Sequence, residues 1–154
     1  MKAIVQDAYG SADVLQLREI ERPQIGADEV LIRVHAAGVD FGVWHLMAGL
    51  PYAVRLVTGV REPRNPIRGI EVAGVVEATG ANVTAFRTGD EVFGASEGSF
   101  AEYARASQAR VLHKPSNLTF EQAAVLPVSA TTALVRLRAA KVEAGQKVLV
   151  IGAG

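Results

Sequence analysis

The stretch from Ile67 to Gly94, IRGIEVAGVVEATGANVTAFRTGDEVFG, constrains the fold more than any other, because its glycines and turns leave little besides a β reading. Ile70 to Ala78 is a β-rich run with Gly69, Gly74 and Gly80 in or beside it, and Glu91 to Phe93 follows the turn Thr88-Gly89-Asp90. A glycine inside a strand has no side chain to pack, so Gly74 marks a bulge or a close approach of another backbone or a ligand. Glu71 stands at the entry to an otherwise apolar strand. A bare apolar core does not tolerate an unpaired carboxylate, so a buried Glu71 needs a partner, a metal or water. The commoner arrangement, and the one expected here, is a strand-end glutamate facing solvent.

With 154 residues the chain makes one domain, or one domain plus the opening of another. Apolar residues form 49% and charged residues 21%, which suits a globular core and excludes a disordered acidic or basic chain. Sixteen basic residues balance sixteen acidic ones, which argues against a nucleic-acid footprint or a membrane-surface patch. The absence of cysteine removes disulfides, thiolate nucleophiles and every cysteine-based zinc site. The start, MKAIVQDAYG, has no apolar segment behind Lys2, so no signal peptide is expected. No apolar run is long enough to span a bilayer, and the expected location is the cytoplasm.

Lys2 to Gln6 and Val14 to Ile20 read as strands around the turn Tyr9-Gly10-Ser11. Glu29 to Ala36 is the cleanest alternating strand, with Leu31, Arg33 and His35 on one face and Val30, Ile32, Val34 and Ala36 on the other. His35 shares its face with Arg33 and reads as a wet-face histidine rather than a ligand. Asp40 is a good N-cap for a short helix to about Met47, stopped by Gly49. Trp44 on that helix is expected to pack in the core. Leu50 to Pro66 is a long connection of the kind that carries function or a basic surface excursion. Gly98 to Arg105 and Ala109 to His113 read as two more strands. The period then changes: Thr119 and Gln122 form a capping box, and Val128 to Ala140 is a helix. Lys147 to Ile151 reads as a buried parallel strand running into Gly152-Ala153-Gly154.

A parallel strand followed by Gly-x-Gly is how a dinucleotide-binding unit begins, since small residues let a pyrophosphate reach the backbone and the next helix N-terminus. By itself the signal is weak, and an ordinary turn reads the same way.

The ordered set of motifs carries more. P-x-x-G-x-E-x-A-G-V-V from Pro66 is followed by F-x-x-G-D-x-V-F-G from Phe86 and G-S-F-A-E-Y from Gly98. Pro115 then opens P-x-x-x-T-x-E-Q-A-A, and T-A-L and G-Q-K-V-L-V-I-G-A-G complete the set. Together these resemble the medium-chain dehydrogenase/reductase superfamily over almost the whole chain. The resemblance implies a mainly β, GroES-like, partly open barrel as the catalytic domain over 1–120. The first elements of a Rossmann nicotinamide-binding domain would follow over 121–154. In the zinc-dependent members the position of Asp40 is a cysteine ligand and that of Ile70 a histidine ligand, and a four-cysteine lobe lies where this chain runs from Gly94 to Phe100. None of these is present, so the chain looks like the zinc-independent, quinone-oxidoreductase-like branch. That branch often has asparagine at the position of Asp40 and aspartate at that of Val43.

The resemblance implies hydride transfer from NADPH (or NADH) to a quinone or an α,β-unsaturated carbonyl, an acceptor that delocalises charge without a Lewis acid. Asp40 and Phe41, at the start of their helix, would lie under the nicotinamide. Thr131 or Thr132 would touch the cofactor, and Gly152 and Gly154 would meet its pyrophosphate. Tyr52, His45 and Trp44 would wall the substrate, with Tyr52 or His45 as proton donor. A zinc enzyme built on Asp40, His45 and Glu71 is disfavoured. The partners implied are a small-molecule substrate and a second copy in a homodimer, with neither nucleic acid nor membrane. The competing reading is a stand-alone GroES-like binding or structural module, which would self-associate through an exposed Lys147–Ile151 edge.

Overall fold

The computed structural model describes residues 1–151. Its centre is a five-stranded antiparallel sheet in the order β6-β3-β4-β5-β7, flanked by a ribbon of β1 and β2. β1 (Lys2–Val5) pairs with β2 (Gln16–Glu19), β3 is Glu29–Ala37, β4 Glu71–Thr79, β5 Glu91–Ala95, β6 Tyr103–Ser107 and β7 Val111–His113. The ribbon is stitched to the sheet by the bridges Ala3 to Ala101 and Val5 to Ile67, so the whole curls into a half-barrel.

Alternation produces the core. Val30 and Ile32 of β3 turn inward against Val72, Val76, Val92, Ala106 and Val111, with Phe86 closing one end. Arg33 and His35 turn out, and His35 stacks on Phe120 with ring centroids 4.4 Å apart. The alternation read from the sequence weakens at Val34 and Ala36, which are only half-buried. The pairing of β3 with β4 slips one residue at that point, opposite Gly74. A Cβ on Gly74 would run into the Arg33 carbonyl oxygen and stand 2.9 Å from an Ile32 methyl, so the strands meet this closely only because the residue is glycine.

The described residues form four helices, of which α3 and α4 pack on the sheet. α1 (Phe41–Ala48) starts at Asp40 and stops at Gly49, which takes the left-handed conformation (φ 63°). The connection from Leu50 to Pro66 is not featureless: it holds a single 3-10 turn, Tyr52–Val54, and a one-turn helix, α2 (Arg55–Thr58). α3 (Phe120–Ala124) begins with the capping box of Thr119 and Gln122, and its Ala123 and Ala124 pack on Ala73 of β4. α4 (Pro127–Ala139) follows and buries none of its residues.

Three expectations change. The strand read from Gly98 begins only at Tyr103, because Gly98 (φ 73°) and Ser99 fold back to donate to the Gly69 carbonyl. In the next segment, Gln108–Arg110 forms a 3-10 turn and only Val111–His113 is strand. Residues 147–151 are not a strand: a parallel strand needs a neighbour to bond, none of the described residues pairs with this segment, and Val148 to Ile151 are exposed. Gly152 and Gly154 lie outside the described residues.

Candidate functional site

Helix α1 exists because its ends are closed. The Asp40 carboxylate accepts from the Val43 N–H (2.8 Å), and the Arg55 guanidinium donates to the Gly49 carbonyl (3.0 Å) at the other end. This two-turn helix presents Phe41, Trp44 and His45 on one edge. Phe41 and Trp44 stack with centroids 5.2 Å apart, and His45 meets both rings edge-on at 4.7 and 5.1 Å. Trp44 was expected in the core; instead it is 42% exposed, and Phe41 is 71% exposed. Only Val43 and Met47 of this helix turn inward, so the aromatic face is left to solvent.

His45 Nδ1 stands 2.7 Å from the Leu50 carbonyl oxygen. A carbonyl only accepts, so Nδ1 carries the proton and Nε2 is the atom left for a ligand. Tyr52 is exposed, its ring lying 4.9 Å from the Arg55 guanidinium, which also covers Tyr9 at 4.4 Å. Arg55 therefore ties the Tyr52 turn to the C-terminal cap of α1.

Glu71 overturns the solvent-facing expectation. It is 2% exposed, and its Oε1 accepts the Val128 N–H at 2.8 Å, at the first turn of α4. The carboxylate thus takes one of the donors that every helix start leaves unpaired. Burial pushes its carboxyl above the usual glutamate range; the Val128 bond opposes the rise, and the nearby charge of Asp40 adds to it. Gly38 makes room for this arrangement, since a Cβ there would lie 2.5 Å from Glu71 Oε2. Sequence reasoning noticed that Glu71 was out of pattern, but its partner stands 57 positions away and no local signal announces it.

Thr131 and Thr132 are exposed on α4 and line a different place, a cavity of about 580 Å³ between α4 and strands β5 and β7. Phe93, Gly94, Pro127 and Leu134 share its wall; Asp40, His45 and Tyr52 do not. The structure therefore gathers Asp40, Phe41, Trp44 and His45 on one helix and brings Tyr52 beside it through Arg55. Glu71 links the helix of Thr131 and Thr132 to that group, since it bonds α4 and feels Asp40. Among the described residues, no three His, Asp or Glu side chains stand together as a group that could hold a metal ion.

A curled antiparallel half-barrel with few helices is the architecture of a GroES-like domain. Residues 26–116 match the family described as the alcohol dehydrogenase GroES-like domain, well over half of the chain, and the chain belongs to that family. Its relatives place it in the quinone-oxidoreductase-like branch of the medium-chain dehydrogenase/reductase superfamily. It is 39% identical to the quinone oxidoreductase of Homo sapiens over 158 residues, covering 99% of this chain and 46% of that protein. It is 34% identical to a 2-methylene-furan-3-one reductase of Solanum lycopersicum, covering 99% of this chain and 40% of the relative. Among solved structures, a mycobacterial protein complexed with NADPH superposes with a TM-score of 0.81 at 31% identity, over 94% of this chain and 43% of that one. The chain thus spans less than half the length of the curated relatives it matches.

Proposed function

We propose that this chain is the catalytic part of a zinc-independent reductase that uses NADPH, or NADH, to reduce a quinone or an α,β-unsaturated carbonyl. The observation that carries the reading is helix α1, with an acid at its start and an aromatic pair and a histidine with a free Nε2 along one open edge. The names of the human and tomato relatives supply the acceptor class, and the NADPH complex supplies the cofactor. Residues 1–120 form the catalytic domain and 121–154 open the nicotinamide-binding domain. The working protein is a cytoplasmic homodimer. Among the described residues no helix is long and apolar enough to cross a membrane.

The residues present suit the nicotinamide end of the cofactor. Thr131 and Thr132 offer hydroxyls to a carboxamide on the wall of the apolar cavity. Gly94 keeps that wall flat, because a Cβ there would strike the Arg110 carbonyl. When bound, the cofactor supplies the hydride. Asp40 and Phe41, at the start of α1, would lie under the nicotinamide, and Trp44, Tyr52 and His45 would wall a planar acceptor and exclude water from it. The Tyr52 hydroxyl holds a proton for the acceptor oxygen, and His45 would do so at Nε2 as the imidazolium, with both ring nitrogens protonated. Gly152 and Gly154 would approach the pyrophosphate.

The test is to sequence the gene beyond codon 154 and to assay NADPH oxidation by the whole polypeptide with a quinone and an α,β-unsaturated ketone. A continuation into a glycine-rich loop and helix, with acceptor-dependent oxidation, supports the reductase. A stop codon with no turnover favours the stand-alone binding module.

A further inference from the structure

Arg68 is a buried cation for which the proposed hydride transfer has no use. It is 6% exposed, three residues before β4, and forms no ion pair among the described residues. Its Nη1 donates to the Leu46 carbonyl at 3.4 Å and its Nη2 to the Asn65 carbonyl, while its Nε is buried with no acceptor. Burial holds its pKa below the usual arginine range. A guanidinium taken out of water with no counter-charge is costly, and an anion beside it supplies that charge.

The surroundings supply a place for one. Arg68 lines a cavity of about 280 Å³ whose wall also carries two exposed arginines, Arg64 from the connection before β4 and Arg110 from the 3-10 turn before β7. The acid on that wall, Glu97, is already held by Arg105 at 2.8 Å, so the three arginines face the cavity without a carboxylate of their own. Leu46, Val57 and Ile70 give the wall an apolar part, beside the polar Thr58, Asn65 and Ser96.

We propose that this cavity binds a small oxyanion, a carboxylate or phosphate group on a compact apolar body. Arg68 is the buried anchor, and Arg64 and Arg110 clamp from the rim. Guanidinium groups match both anions through paired N–H donors. The site requires no nicotinamide, so it stands or falls separately from the reductase reading.

The chain has a single tryptophan, Trp44, two residues from Leu46, which gives a fluorescence signal to accompany calorimetry. The probes are benzoate and phenyl phosphate. Saturable one-to-one binding is expected for at least one of them, weakened by salt. Arg68→Met should weaken it about tenfold or more, the worth of one charge-assisted bond. Arg64→Ala and Arg110→Ala should each weaken it about threefold, as rim charges do. Binding of benzoate alone assigns a carboxylate ligand, and binding of phenyl phosphate alone assigns a phosphate. If Arg68→Met does not fold, the two exposed variants decide. Failure of both probes to bind saturably overturns the proposal, and so does an affinity unchanged in every folded variant.

Discussion

Glu71 serves opposing demands, since burial favours its neutral form while the Val128 N–H favours its anion. Its folded pKa lies above the ordinary value of 4.5, so the native state holds the proton more tightly than the unfolded chain. Its contribution to stability is full below that value and is lost as pH rises through the folded pKa. Asp90 shifts the other way: the Arg87 backbone N–H holds its carboxyl below the usual range, and its contribution is lost as pH falls. Subtracting one variant from wild type separates the two. Glu71→Gln keeps an acceptor for Val128 and removes the proton, so the urea midpoint of wild type relative to Glu71→Gln should decline as pH climbs from 4.5. A flat difference across that range would sink the assignment. Glu71→Ala leaves the Val128 N–H without its acceptor, and should cost about 2 kcal/mol at acid pH by urea unfolding, and less as pH rises. Asp40→Ala should cost about 1 kcal/mol through the lost cap, and Asp40→Asn much less, read from the same curves.

At the scale of elements, what was legible in the sequence was what is local. Strand β3 follows from alternation, α1 from Asp40 and Gly49, and α3 from a capping box, each written within a few residues. Gly74 was legible too, because a glycine amid β-branched neighbours implies a close approach, and the slip between β3 and β4 supplies it. Gly74→Val should therefore push the two strands apart at their tightest point and cost about 3 kcal/mol. Thermal unfolding would show it, and a loss under about 1 kcal/mol would mean that the bulge absorbs the side chain. What was not legible depends on distant chain. The partner of Glu71 lies in α4, the exposure of Trp44 depends on which helix face the barrel covers, and Arg68 hides inside an apolar-looking run between Ile67 and Gly69. Residues 147–151 have the composition of a buried strand, but a strand exists only beside another strand.

The molecule as a whole joins a well-packed half-barrel to a segment with no core of its own. Val30, Ile32, Val72 and Val92 are fully buried, whereas α4 buries nothing and leaves Leu134, Val135 and Leu137 about half exposed, with Leu149 and Ile151 almost wholly so. A helix of 13 residues is marginal in water without a packed face, and a contiguous apolar surface of this kind seeks a partner. The chain is therefore expected to self-associate at micromolar concentration through α4 and residues 148–151, seen as a mass above that of a monomer in light scattering. The edge strand first expected to drive this is absent, so the driving force is side-chain burial, and it should weaken on cooling and persist in salt. Leu134→Glu and Leu149→Glu place charges on that surface and should return the chain to a monomer without lowering the urea midpoint of the barrel. Helical circular dichroism should fall in the same variants, since α4 would lose its cover. A monodisperse wild-type monomer whose α4 amides nonetheless resist hydrogen exchange would show that the helix is stabilised within one chain and would refute this account.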